Sequence, residues 1–108
     1  MKNSLGDRQK GFEAQFQRDQ ELSFRVTARR NKLFGLWVAE KLGLAGGEPT
    51  ESYARAVVDA DFERPGDGDV IEKVQADLTA KGIDLSEARL RVELTRAAEE
   101  ARRQLTEK

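Results

Sequence analysis

The chain has 108 residues and a formal net charge of −1, and charged residues make up 36% of it while aromatic residues make up 6%. This length is typical of one small domain, and the balance favours a helical protein with a highly charged surface and a narrow apolar stripe. The near-zero net charge gives no general attraction to nucleic acid or membranes. The absence of cysteine excludes disulfides and thiol chemistry. The sequence contains no run of about 20 apolar residues, the length needed to cross a membrane.

A long first helix is predicted from about Asp7 to Leu44, a range without proline. At about 100° per residue, its apolar side chains fall on one side of the helix. These side chains are Leu22, Val26, Leu33, Trp37 and Leu44, with Phe12, Phe16 and Phe34 beside them. We expect residues 33–44 to be the most buried part of the protein and Trp37 to be a core residue. The helix is expected to end at Gly43 or at Gly46-Gly47, because glycine suits the left-handed cap.

The second helix is predicted to begin near Pro49 or Thr50, since proline is tolerated in a first helical turn. Its apolar residues recur every three or four positions, as on one face of a helix. They are Tyr53, Ala54, Val57, Val58 and Phe62. Pro65-Gly66 is expected to end this helix.

The third helix is predicted to begin with Asp67 or Asp69 as its N-cap. Its apolar face contains Val70, Ile71, Val74 and Leu78. Gly82 is the predicted stop, with Ile83 folding back on Leu78.

The fourth helix is predicted to begin at Asp84-Leu85-Ser86-Glu87, which has the form of a capping box. Its apolar face contains Leu90, Leu94, Ala97, Ala101 and Leu105. Because short loops join the second, third and fourth helices, these helices should pack as antiparallel neighbours. The predicted fold class is therefore all-α, a four-helix bundle with a long first helix.

The beginning of the first helix has little to pack against within one molecule. At about 1.5 Å per residue this helix could exceed about 50 Å, well beyond its shorter neighbours. Gly6 and Gly11 weaken it further. We therefore predict a mobile or partly helical segment at residues 1–18 and a four-helix bundle domain at residues 19–108. Phe12 and Phe16, one turn apart among polar neighbours, would then be apolar anchors for a partner protein.

No constellation of catalytic residues is visible. Histidine and cysteine are both absent, which removes the commonest general base, the thiol nucleophile and the usual zinc ligands. An acidic run from Asp59 to Glu72 fails the calcium-loop pattern, because its sixth and twelfth places hold Arg64 and Val70. The run is either a weak surface for cations or basic partners, or a set of capping and solubilising residues. We expect no enzyme activity, metal or cofactor.

A basic stripe on the first helix could contact phosphates. It contains Arg18, Arg25, Arg29 and Lys32. The surrounding charge is balanced, and Glu21 lies one turn before Arg25 as an expected helix ion pair. We therefore expect no nucleic-acid binding.

A longer pattern then identifies a family. Residues 29–44, RRNKLFGLWVAEKLGL, resemble the zeta-type inhibitor subunit of bacterial F-type ATP synthases. The run FEAQF at 12–16 is similar to the family's Phe-Glu-Ala-Lys-Phe, and residues 60–70 and Lys81-Gly82 resemble two of its helix ends. The resemblance covers about residues 7–85. The fourth helix departs from it, since residues 86–94 lack the family's His-Gln-Ile-Arg-Arg run.

The resemblance implies a four-helix bundle and a regulatory protein. In the family, the N-terminal segment inserts at a catalytic alpha–beta interface of the ATPase head and blocks rotation in the hydrolysis direction. Carried over by position, this inhibitory segment is residues 1–18. The implied partner-binding residues are the anchors Phe12 and Phe16, the polar contacts Arg8, Lys10 and Arg18, and Gln15, which stands where the family has lysine.

The implied partners are the catalytic alpha and beta subunits of an F-type ATP synthase, without direct membrane insertion. We expect a monomer when the protein is free, located in the cytoplasm and peripheral on the membrane-bound synthase. The alternative is a general helical adaptor that uses the same apolar anchors and has no ATPase target. An ATPase assay separates the two.

Overall fold

A computed structural model gives an all-α protein with four helices in its described residues. The structure describes the backbone of residues 4–44, 46–63 and 67–106, and the side chains of residues 19–44, 46–61 and 68–106. The helices are α1 (Ser4–Lys41), α2 (Glu48–Glu63), α3 (Asp67–Ala80) and α4 (Glu87–Thr106). This confirms the predicted four-helix bundle with a long first helix. The predicted mobility of residues 1–18 and the predicted domain boundary after them stay predictions, because the side chains of those residues lie outside the described part.

All four helices contribute to one apolar core. Its buried members are Phe34 and Val38 from α1, Val57 from α2, Val70, Ile71, Val74 and Leu78 from α3, and Leu90, Leu94 and Ala97 from α4. Burying one such Val, Leu, Ile or Phe side chain contributes about 1.5–3 kcal/mol. The expectation that residues 33–44 are the most buried part is only partly right. That segment contains fully buried Phe34, Val38 and Ala39, but Trp37 and Leu42 are half-buried, since the bundle covers α1 on one side only.

The helices α1 and α2 approach each other closely at a glycine. A Cβ atom built on Gly35 would lie 2.9 Å from the Cα of Ala54 and 3.2 Å from the Cβ of Val57. Real Cβ atoms almost never approach another heavy atom that closely. Only glycine at this position therefore allows the two backbones their present distance.

The end of α1 is set by Gly43, the first of the two predicted alternatives. Gly43 has a φ of 82°, in the left-handed region where glycine carries no steric cost. Its N–H donates to the carbonyl of Glu40 at 3.1 Å, and the N–H of Leu44 donates to the carbonyl of Ala39 at 3.0 Å. These two bonds satisfy carbonyls that the helix end would otherwise leave without partners.

The predicted end of α3 is confirmed, whereas the predicted start of α4 is wrong in detail. The N–H of Ile83 donates to the carbonyl of Leu78 at 2.9 Å, as the foldback requires. At α4 the cap is Ser86, whose Oγ accepts a bond from the N–H of Arg89 at 3.1 Å. Since α4 begins at Glu87, directly after Ser86, Asp84 lies too far before the helix to cap it.

The first helix extends well past the rest of the bundle. It has 38 residues, whereas α2, α3 and α4 have 16, 14 and 20. Among the described side chains of α1, that of Val26 is the first buried one, and Ser4–Arg25 precedes it along the helix. At about 1.5 Å per residue these residues span about 33 Å. The molecule is accordingly elongated, at 70 × 27 × 21 Å.

Candidate functional site

The residues predicted to bind a partner all lie on α1 before Val26, its first buried residue among those described. They are Arg8, Lys10, Phe12, Gln15, Phe16 and Arg18. The backbone places them on one continuous helix, within about 15 Å along its axis. Their side chains lie outside the described residues. Their assignment as partner contacts therefore stays a prediction.

The next stretch of α1, Asp19–Arg25, is described in full and is largely exposed. Each of its side chains is exposed except that of Leu22, which is half-buried. Burial begins abruptly at the next residue, Val26, which is 6% exposed. We call Asp19–Arg25 the collar of α1, because it lies between the predicted inhibitory segment and the bundle.

The collar carries a large exposed aromatic side chain. Phe24 is 60% exposed, and in the described part the other large apolar side chain in this class is Val92, at 46%. Phe24 lies in a shallow, open depression together with Gln20, Glu21 and Arg25. Phe24 was not among the residues predicted from the sequence, because it falls outside the apolar stripe that contains Leu22. The available signal was a phenylalanine with polar residues on both sides.

The basic stripe lies beside the collar and is exposed. Arg25, Arg29 and Lys32 are all exposed, and Arg29 Nη1 donates to Gln104 Oε1 of α4 at 3.0 Å. The expected pair between Glu21 and Arg25, both fully described, is not formed in the structure. Exposed pairs of this kind contribute only about 0–1 kcal/mol, which is little against two freely solvated side chains. Arg18 belongs to the undescribed side chains.

Trp37 packs on the bundle, as the sequence analysis predicted. It is half-buried against the core, and its ring stacks on that of Phe34 with centroids 6.2 Å apart and planes 10° apart. The ammonium group of Lys41 lies 5.3 Å from the centre of the indole ring on its own helix. Trp37 thus has neighbours within the chain and is a poor candidate for a partner contact.

The half-buried polar cluster between α2 and α3 links the two helices. The hydroxyl of Tyr53 donates to Asp77 Oδ2 at 2.7 Å, and Lys73 Nζ donates to the same oxygen at 3.2 Å. Lys73 also lies 5.6 Å from the centre of the Tyr53 ring. Burial, followed by the hydrogen bond to Asp77, raises the pKa of Tyr53 far above its usual 10.0. A phenol that holds its proton this firmly supports structure and cannot serve as a base near neutral pH.

The buried carboxylate of α4 has its partners on the same helix. Glu93 is 8% exposed and forms ion pairs with Arg89 at 3.1 Å and Arg96 at 3.3 Å. Two partly exposed guanidinium groups thus compensate the cost of burying its charge. Glu93 is therefore a structural residue of the bundle surface.

The described residues offer no cluster of three or more carboxylates arranged to hold a metal ion. Within the acidic run, the side chains of Glu63 and Asp67 lie outside this description. None of the helices, over the residues described, is long and apolar enough to cross a membrane.

The chain is similar in sequence and in fold to known proteins. A family model described as ATPase inhibitor subunit zeta matches residues 1–104 of the chain. A solved solution NMR structure is similar over 78% of this chain and 94% of its own, with 45% sequence identity and a TM-score of 0.68. No curated protein sequence matches the chain.

Proposed function

The chain belongs to the ATPase inhibitor subunit zeta family, and from this premise we propose how it inhibits. The projecting part of α1 inserts into the catalytic head of a rotary F-type ATP synthase, at an interface between an alpha and a beta subunit. The bundle stays outside. The inserted helix prevents the interface from changing shape, which stops rotation in the direction of ATP hydrolysis.

The observation that carries this proposal is the length of α1 beyond the packed part of the bundle. Ser4–Arg25 precedes Val26, the first buried side chain among those the structure describes, and at about 1.5 Å per residue it could reach about 33 Å into a crevice. The molecule is 27 × 21 Å across its long axis, which is too wide for the packed helices to enter a crevice that fits a single helix of about 10–12 Å diameter. The projecting helix therefore suits insertion, and the bundle suits holding that helix from outside the crevice.

The proposed contacts are the residues that the family resemblance implies. Phe12 and Phe16 would be the apolar anchors, and burying both would contribute about 3–6 kcal/mol to binding. Arg8, Lys10 and Arg18 would be polar contacts, together with Gln15. Since a segment that becomes ordered on binding loses conformational entropy, these anchors must also offset that cost.

This mechanism makes the protein a regulator without chemistry of its own. It requires no cofactor, because blocking an interface needs shape and contact area only. We further propose that the protein is monomeric when free and acts in the cytoplasm, peripheral to the membrane-bound synthase. Since the chain has no histidine, pH sensing by an imidazole is excluded as a part of its regulation.

The test compares the full-length protein with a version that begins at Asp19. Hydrolysis of ATP by a purified F-type ATP synthase is measured at increasing concentrations of each. Full-length protein should inhibit, and the shortened protein should not. The control is thermal unfolding by circular dichroism, where both proteins should melt together because the packed part of α1 starts at Val26.

Two outcomes would count against the proposal. Inhibition that survives the truncation would place the active surface on the bundle. No inhibition by excess full-length protein would favour the alternative, a helical adaptor with another target.

A further inference from the structure

We infer that the collar, Asp19–Arg25, is a further contact surface for the ATPase head, and that Phe24 is its apolar anchor. This inference rests on the proposed function, because it names the same partner and extends the proposed interface. The collar would contact the rim of the crevice that receives the beginning of α1. At that rim the partner would have an apolar recess large enough for the phenyl ring of Phe24.

Exposure by itself does not identify a binding residue. Single exposed apolar side chains are common on protein surfaces, and Val92 on α4 is another such residue. Phe24 differs from Val92 in its place, since it lies on the projecting helix and not on the packed bundle. That place decides which exposed apolar residue can meet a partner of α1.

The backbone of α1 makes the collar continuous with the proposed interface. Positions 12, 16, 20 and 24 form one row at a spacing of four residues, and three of them are phenylalanine. The row turns by about 40° at each step, so a crevice that surrounds the helix can meet all of it. From Arg18 to Phe24 the helix advances by only about 9 Å. A typical protein–protein interface buries about 800 Å² of each partner, so an interface that includes Arg18 should also extend the ~9 Å to Phe24.

The bundle fixes the other limit of the interface. From Val26 onward α1 is packed, with Phe34 and Val38 almost fully buried. Arg29 is bonded to Gln104 near the end of α4, so the bundle already lies beside the helix one turn past the collar. When α1 inserts as far as the bundle permits, the collar lies at the mouth of the crevice.

The charge of the collar indicates what kind of contact it makes. Asp19 and Glu21 are acidic, Arg25 is basic, and all three are exposed. Such a mixed surface gives no strong attraction of either sign. The contact should therefore be apolar, and its contribution should persist at high salt, where exposed charges are screened.

The test is Phe24→Ala in the full-length protein, with Val92→Ala as the matched control. Both changes remove an exposed apolar side chain from a helix. Alanine is the better helix former in each case, so a loss of inhibition cannot come from a weaker helix. We expect Phe24→Ala to raise the half-inhibitory concentration for ATP hydrolysis about tenfold, as for an interface anchor, at low and at high salt. We expect Val92→Ala to match the natural protein.

A second measurement identifies the occupant. A photoreactive phenylalanine derivative at position 24 should form crosslinks to the alpha or beta subunit, while the same group at position 92 should not. Light scattering of the free protein should give a monomer with and without Phe24→Ala. A dimer that the substitution dissociates would mean that a second copy covers Phe24, and would overturn the inference.

The outcomes separate the inference from the proposed function. If the natural protein inhibits and Phe24→Ala inhibits equally well, the collar is not a contact and the proposed function stands. An effect of Phe24→Ala that disappears at high salt would also overturn the apolar contact. If the natural protein does not inhibit at all, both ideas fail together.

Discussion

The two parts of α1 differ in what surrounds them. The later part, Val26–Lys41, has 16 residues, the same number as α2, and contributes Phe34 and Val38 to the core. Before it, every side chain of the collar is exposed except that of Leu22. The same helix thus changes from a packed element to a projecting one within a single turn.

If the projecting part of α1 binds the partner as proposed, stability and binding are separable in this chain. An isolated helix is marginal in water, so the packed part of α1 owes its stability to the bundle. Within the described residues, packing on the bundle accounts for Val26–Lys41 and not for the exposed collar, Asp19–Arg25. Under the proposed function, partner binding accounts for the collar and for the helix before it. Substitutions in the two parts should therefore affect different measurements, and each prediction below tests that division.

The largest effects are expected when phenylalanine is replaced by alanine, either in the projecting part of α1 or in the core. Phe12→Ala with Phe16→Ala should raise the half-inhibitory concentration at least about a hundredfold, because about 3–6 kcal/mol of apolar burial in the partner is lost. The melting temperature should not change. Phe34→Ala should instead lower the free energy of unfolding by about 3–5 kcal/mol, since Phe34 is 1% exposed in the core.

An ATPase titration and urea unfolding should be measured on the natural protein, the double variant and Phe34→Ala. Phe34→Ala should still inhibit under conditions where it remains folded. The division would be broken if the double substitution destabilised the bundle strongly, because both rings would then belong to the core.

A smaller effect is expected where α1 meets α2. In Gly35→Ala the new Cβ would lie 2.9 Å from the Cα of Ala54, so the helices must separate. Overpacking of this kind costs about 1–3 kcal/mol, against which alanine gains up to about 1 kcal/mol of helix propensity. We expect a net destabilisation of about 1 kcal/mol in urea unfolding, with inhibition unchanged.

The control for this substitution is Gly68→Ala in the first turn of α3. A Cβ at Gly68 would meet no atom within 4 Å, so this change should be neutral or slightly stabilising. Equal effects at the two glycines would show that the close approach of α1 and α2 carries no energetic weight.

The bond between Tyr53 and Asp77 predicts a stability effect that depends on pH. Tyr53→Phe removes this bond and should cost about 1 kcal/mol near neutral pH. The pKa of Tyr53 is raised above its usual 10.0 in the folded protein, so the folded state keeps a proton that the unfolded state loses. The stability from Tyr53 is therefore present below pH 10 and is lost as pH rises further.

The difference between the natural protein and Tyr53→Phe should accordingly shrink above about pH 10. Urea unfolding at about pH 8 and about pH 11 measures it. A difference that stays constant across this range would mean that the phenol proton plays no part. Inhibition at neutral pH should be unaffected, because the cluster lies between α2 and α3.

Much of the fold could be predicted because local signals agreed with tertiary packing. Glycine at Gly43 and Gly82, each followed by an apolar residue, correctly marked the ends of α1 and α3. The three- and four-residue spacing correctly gave core positions such as Val57 and Leu78. At these places the residue types that local structure favours are also those that the packed bundle requires.

The remainder depended on distances between helices, which the sequence of one helix does not contain. Gly35 needed its neighbour Ala54 before its role was visible. The burial of Asn31 and Glu93 could not be predicted either, since polar residues have no apolar spacing to mark them. For the candidate site, Phe12 and Phe16 were chosen by their polar surroundings. Phe24 was missed because it lies outside the apolar stripe of α1 and because the extent of the bundle along α1 was unknown.

The last prediction concerns the start of α4, where Ser86 is the cap and Asp84 lies two residues before it. Ser86→Ala removes the bond from the N–H of Arg89 to Ser86 Oγ and should cost about 1 kcal/mol of stability. Asp84→Ala should stay within about 0.5 kcal/mol, because Asp84 is exposed and precedes the helix by three residues. Urea unfolding of the pair distinguishes them, and the reverse order would restore Asp84 as the cap. Because α4 lies wholly within the bundle, both variants should inhibit ATP hydrolysis like the natural protein, and a loss of inhibition in either would extend the functional surface beyond α1.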